Sequence, residues 1–212
     1  RGAGILMIRA GTPRTLFATK GIQPMKSMTK RLLAALLAVA ALFALAGCSK
    51  SDKADAAPKD YTKILHDARP DEDNEYYMIF SPGENGKFTA QYGYSDSYDA
   101  AQLDEEIRNM LLPLLNLEED MYTDFAASVS GMMVQSYGIA IVKPAEGKQQ
   151  AVSEALDAYV QSQMQSMEHY LEDQYQIAAS SHISTAPTGE VILVCCENPE
   201  AVMNAIKTAL AA

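Results

Sequence analysis

Tyr137-Gly138-Ile139-Ala140-Ile141-Val142-Lys143 is a nearly continuous apolar run within residues 132–143, stopped by Pro144-Ala145-Glu146-Gly147. Apolar residues at successive positions point to both sides of a strand, so the run predicts a strand covered on both faces. Val191-Ile192-Leu193-Val194-Cys195-Cys196 has the same character and reads as central in the same sheet. Between them, from Lys148 to about Leu171, Val152, Leu156, Tyr159, Val160, Met164, Met167 and Leu171 follow the 3.6-residue period, with Gln149, Glu154, Asp157, Gln161, Gln165 and Glu168 on the other side. That is a long amphipathic helix. Gln176–Ala186 and Glu190–Glu197 read as two strands of an antiparallel hairpin, joined by Pro187-Thr188-Gly189, where Pro and Gly supply the φ values a tight turn needs. The chain closes with a helix capped by Asn198, with Pro199 at its first position and Glu200 beside its positive end. Val202, Met203, Ile206 and Leu210 share its apolar face.

Toward the N-terminus, Leu103, Ile107, Met110, Leu111 and Leu114 recur at helical spacing, with Pro113 kinking or closing the run. Leu117–Ser128 reads as a second short helix that buries Met121 and Phe125. Glu75–Phe80 and Lys87–Tyr94 are β-like runs around Ser81-Pro82-Gly83-Glu84-Asn85-Gly86, which predicts a hairpin. Tyr61–Ala68 is a short helix that ends before Pro70 and the acidic cluster Asp71-Glu72-Asp73-Asn74-Glu75. The expected class is α+β: a small, largely antiparallel sheet with amphipathic helices packed against it, forming a single acidic domain over residues 61–212.

The run Leu117-Glu118-Glu119-Asp120-Met121-Tyr122, then Tyr137–Lys143, the helix from Lys148 and Gly189-Glu190-Val191-Ile192-Leu193-Val194 together resemble a family of secreted bacterial lipoproteins. It is catalogued as domain of unknown function forty-three fifty-eight. The resemblance covers about residues 100–210 and rests on structural patterns. It implies a lipoprotein leader and brings no established activity, so no functional residue is carried over. The acidic hairpin of residues 75–99 looks less general in that family.

At 212 residues and 23.0 kDa, with 48% hydrophobic and 21% charged residues, the chain has room for one core. Its charge is divided unevenly. Of 17 basic residues, seven fall within residues 1–47 (Arg1, Arg9, Arg14, Lys20, Lys26, Lys30, Arg31), where there is no acid. From Cys48 onward 10 basic residues face all 27 acidic ones, a net of −17. Leu32–Ala46 is an unbroken apolar stretch behind Met28-Thr29-Lys30-Arg31. As a helix it would rise about 22 Å, short of the roughly 30 Å hydrocarbon core, which fits a secretory signal better than a permanent span.

Leu45-Ala46-Gly47-Cys48 then resembles the lipobox of bacterial lipoproteins: an apolar residue, two small residues and a cysteine. The resemblance implies cleavage before Cys48 and a diacylglycerol on its sulfur. One acyl chain anchors only marginally, at about 0.8 kcal/mol per buried methylene, so the second chain is what makes the attachment stable. Residues 1–24 read as translated upstream sequence before a start at Met25 or Met28, residues 25–47 as the signal peptide, and residues 48–60 as the lipidated cysteine with a solvated tether. Ser49–Asp60 offers no large apolar residue to bury and would span on the order of 20 Å if flexible. The expected address is the extracytoplasmic face of the cell membrane.

Chemistry is harder to find. Cys195 and Cys196 are adjacent in a strand, so they point to opposite faces and suit two small hydrophobes better than a disulfide or a metal pair. His66, His169 and His182 have no metal-ligand spacing. Asp71, Asp73 and Glu75 have the 1, 3, 5 rhythm of a calcium loop, but Tyr76 stands where Gly is required and Pro82 where a bidentate Glu is required. Looser cation sites from these carboxylates, or from Glu118, Glu119 and Asp120, stay open. Tyr92, Tyr94 and Tyr98 alternate with Asp96 and Asp99, and tyrosine faces beside carboxylates can hold a sugar ring, so these five are the candidate ligand contacts.

No nucleophile motif, phosphate loop or dinucleotide fingerprint is present. The negative body excludes nucleic acid as a natural partner and favours cations or basic proteins. No catalytic residue, metal or cofactor is expected. The reading is a non-catalytic binding or interaction module of the cell envelope, with an extracytoplasmic carboxylate-dependent hydrolase and a Ca-dependent structural module as alternatives.

Overall fold

A computed structural model of the chain describes residues 58–212. The upstream segment, the signal peptide, Cys48 and most of the expected tether lie outside the described residues. Asp60 accepts a hydrogen bond from the Lys63 amide at 2.9 Å and so caps the first helix, α1 (Tyr61–Ala68). The acidic cluster beyond Pro70 forms a short second helix, α2 (Asp71–Tyr76), which takes Glu75 and Tyr76 from the expected first β run, because three carboxylates in its first turn sit at the positive end of the backbone dipoles.

The hairpin follows as β1 (Ile79–Pro82) and β2 (Phe88–Gln91), paired antiparallel with Phe80 opposite Ala90. Its strands are shorter than the sequence suggests, since Tyr92 and Gly93 take positive φ values of 66° and 51° and turn the chain out of the sheet. Asp99 caps α3 (Ala100–Glu106) in a reciprocal arrangement with Gln102. The helical run continues through a widened turn, Ile107–Leu111, and ends in Leu112–Leu114. The widening falls just before Pro113, whose ring would collide with the carbonyl four residues back in a regular helix.

Leu117–Ser128 is not the helix its composition suggests. Most of it belongs to strand β3 (Tyr122–Val129), paired antiparallel with β4 (Gly138–Pro144), with Phe125 opposite Val142 and Ala127 opposite Ala140. Met121 and Phe125 match a helical period, but Phe125, Ala127 and Val129 pack into one hydrophobic cluster and Ala126 into another. A strand buried on both faces and a buried helix look alike in an apolar run of this length.

The long helix α4 (Gln149–Met167) is as expected and ends four residues early. Gln176–Ala186 is not one strand: its first part belongs to helix α5 (Glu172–Ala179), which carries Glu172 and Asp173 in its first turn, and only β5 (His182–Thr185) is extended. β6 (Val191–Cys195) pairs antiparallel with β5, and Gly189 (φ 101°) lies in the turn between them. The final helix is α6 (Pro199–Ala211).

The sheet has six strands in the order β2-β1-β3-β4-β6-β5, every neighbouring pair antiparallel. This is an α+β domain of three layers. Ala140, Val142, Val191, Leu193 and Cys195 face one cluster, which Ile107, Leu111, Leu156 and Tyr159 cover from the helical run after Asp99 and from α4. Ile139, Ile141, Ile192, Val194 and Cys196 face the other, covered by Tyr61 and Leu65 of α1 and by Val202, Ile206 and Leu210 of α6. The uninterrupted apolar runs of β4 and β6 follow directly, since neither face meets water. Cys195 and Cys196 point to opposite layers.

Candidate functional site

The sheet ends in a cleft of about 610 Å³, where β4 begins and β6 gives way to α6. That volume lies within the range of ordinary ligand sites. Two of its lining residues, Tyr77 and Tyr137, are held by Arg69, which is 5% exposed and does not itself line the cleft. The guanidinium donates to Asn74 Oδ1 at 2.6 Å, Ser128 Oγ at 2.7 Å, the Tyr137 hydroxyl at 3.2 Å and the Tyr77 carbonyl at 2.6 Å. Asn74 in turn donates to the His66 carbonyl at 3.0 Å and Ser128 to the Met78 carbonyl at 2.8 Å. The network ties α1 and α2 to the first strands of the sheet, and it satisfies a buried charge that would otherwise be costly.

Above it Tyr77 and Tyr137 stack with ring centroids 3.8 Å apart and an interplanar angle of 11°. Burial pushes both phenols up, Tyr77 to about 12 and Tyr137 further. Tyr76 and Tyr94 stand on the walls at 51% and 55% exposure. Three carboxylates, Glu72, Asp73 and Glu197, complete the lining, which contains no Lys, Arg or His. Burial pushes the Asp73 carboxyl above its ordinary value, against the pull of the Tyr137 hydroxyl and Arg69.

Ser136 also lines the cleft. Its amide donates to Gln174 Oε1 at 2.9 Å, while its hydroxyl, on a residue 2% exposed, has no hydrogen-bond partner. Burial raises the Cys196 thiol at the cleft's edge to about 11, so it is protonated and unreactive at neutral pH. The arrangement offers aromatic faces, carboxylates and one unsatisfied hydroxyl, without a base placed beside a nucleophile.

Of the five candidate contacts, only Tyr94 reaches this cleft. Tyr92 stacks on His66, centroids 4.2 Å apart. Asp96 lies exposed in the short turn Gly93–Ser97, Asp99 is occupied as the cap of α3, and Tyr98 lines a separate depression beside Gln102 and Glu105. The remaining cleft residues come from segments with no local motif; the acidic run before Tyr76 was the one visible signal. Among the carboxylates considered for a cation, Glu119 pairs with Arg108 and Asp120 with Lys148 at 2.7 Å. Among the described residues no three His, Cys, Asp or Glu side chains converge on a metal position, and no helix is long and apolar enough to cross a membrane.

Fold and cleft together define a three-layer α+β domain with an open site at one end of its sheet. Residues 95–196 match the family described as Domain of unknown function (DUF4358). No curated protein and no solved structure matches the chain. The matched segment supplies Ser136, Tyr137, Gln174 and Cys196 to the cleft, whereas Glu72, Asp73, Tyr76, Tyr94 and Glu197 come from outside it.

Proposed function

We propose that the protein is a lipid-anchored, extracytoplasmic lipoprotein of the cell envelope, whose acidic domain binds a partner or small ligand in the end cleft without transforming it. The anchoring half rests on the leader and on Leu45-Ala46-Gly47-Cys48. The observation that carries the binding half is the polarity of the domain. The chain enters at the pole where Lys59 meets the Leu210 carbonyl at the end of α6, and the cleft is built at the other end of that helix, around Asn198. Thirteen helical residues separate the two by about 20 Å. A tether joined to the first pole would attach the domain at the end away from the cleft, which supports a cleft left open to the envelope exterior.

Replacing Cys48 with Ala and fractionating the native host tests the anchor. The wild-type protein is expected in the membrane fraction and Cys48→Ala in the soluble fraction or the medium. A cleaved Cys48→Ala protein that stays with the membrane would overturn the assignment.

A further inference from the structure

We infer that the end cleft is a site for an organic ammonium group, either a free alkylamine or the side chain of a lysine in a peptide; the inference deepens the binding role proposed above and rests on it. Charge supplies the first ground. Glu72, Asp73 and Glu197 each line the cleft, and no cationic residue lines it with them. Arg69 lies behind the tyrosine stack with its donors committed to four acceptors. Aromatic surface supplies the second. Tyr76 and Tyr94 present half-exposed rings on the walls, and a tyrosine face attracts a desolvated cation through its quadrupole.

The third ground is the Ser136 hydroxyl, buried and unpartnered, an acceptor for which an ammonium N–H is the natural donor. Asp73 is already partly stripped of water in the free protein, so a cation arriving there restores an interaction that folding removed. An anion is disfavoured although α6 opens here, because Glu197 and Asp73 occupy the field of its N-terminus. A bare divalent ion is disfavoured because no three carboxylates of the described residues converge on one point.

Calorimetric titration of the full chain with butylamine, 1,4-diaminobutane and the capped peptide acetyl-Gly-Lys-Gly-amide tests this, with 1,4-butanediol, acetate and Ca²⁺ as counterparts. Saturable heat with at least one ammonium probe and none with the counterparts is expected, and the probe that binds tells the free amine from the lysine source. Asp73→Asn should weaken binding on the order of tenfold, as for loss of a charged contact, and Tyr94→Ala about threefold. Asp157→Asn, on the outer face of α4, should leave it unchanged, and circular dichroism checks that each variant is folded. Absence of saturable heat with every ammonium probe, equal affinity in both cleft variants, or equal binding of 1,4-butanediol would overturn the inference. Acetate or diol binding that Tyr94→Ala abolishes would keep the cleft as a binding site while removing the cation, and fractionation of Cys48→Ala reports on the anchor independently of all of these.

Discussion

Arg69 holds more of the structure than any other polar residue described. Its removal takes a charged donor from the Ser128 and Tyr137 hydroxyls and from the Tyr77 carbonyl at once. Arg69→Met, which keeps the apolar stem, should therefore lower unfolding free energy by about 3 kcal/mol or more in a urea titration. Gly93 is equally intolerant for a different reason: its φ is 51°, and a Cβ there would lie 2.6 Å from the Met78 nitrogen and the Tyr77 carbonyl carbon. Those are backbone atoms, so Gly93→Ala should cost about 3 kcal/mol and displace Tyr94 from the cleft. Asp73 works in the opposite direction. Its folded carboxyl titrates above 3.8, so ionisation penalises the fold at neutral pH, and the penalty vanishes as pH falls below 3.8. Asp73→Asn should thus be more stable than wild type at pH 7, with the advantage lost toward pH 3 in parallel denaturation curves, the pattern of a residue kept for binding at the expense of stability.

At the scale of elements, the start of β4 lies close against its covering helix. A Cβ on Gly138 would lie 2.7 Å from the ring of Tyr159, whose hydroxyl donates to the Tyr137 carbonyl at 2.8 Å. Gly138→Ala should cost about 1–3 kcal/mol by overpacking and Tyr159→Phe about 1 kcal/mol for the lost bond, both measurable by thermal unfolding. Where one segment carried a strong period of its own, the sequence was easy to read: β4, β6, α4 and α6 all appear close to their expected limits. Where it carried small residues it was not. Ala126, Ala127 and Ser128 make β3 look helical, and they are small because helices press on both sides of that strand. The same ambiguity hid the end of α5, whose Gln176, Ile177 and Ala178 read as the start of an extended run until Ala178 is seen buried on one side of a helix.

For the molecule as a whole, the pole opposite the cleft contributes to acid stability. Burial alone would raise the Glu190 carboxyl, but hydrogen bonds from the Thr188 hydroxyl, its own amide and the Tyr61 hydroxyl outweigh it and hold the group below 4.5. The stabilisation is complete above pH 4.5 and is lost as pH falls through the lower folded value. Glu190→Gln should cost about 1–2 kcal/mol at pH 7, and the gap to wild type should close on acidification below 4.5 in a pH series of urea melts. The cleft itself was largely illegible in the sequence, because it assembles α2, the turn after β2, the β3–β4 connection, α5 and the β6–α6 junction, which only tertiary packing brings together.

The boundaries of the matched segment carry one more consequence. Residues 95–196 retain the four strands β3 to β6 but leave behind β1, which guards the edge of β3, and α1 and α6, which roof Ile139, Ile141, Ile192 and Val194. Cut out at those limits, the fragment would bare a greasy sheet face beside an open hydrogen-bonding edge, the recipe for self-association. Light scattering should find it clumping at concentrations where residues 58–212 stay monodisperse.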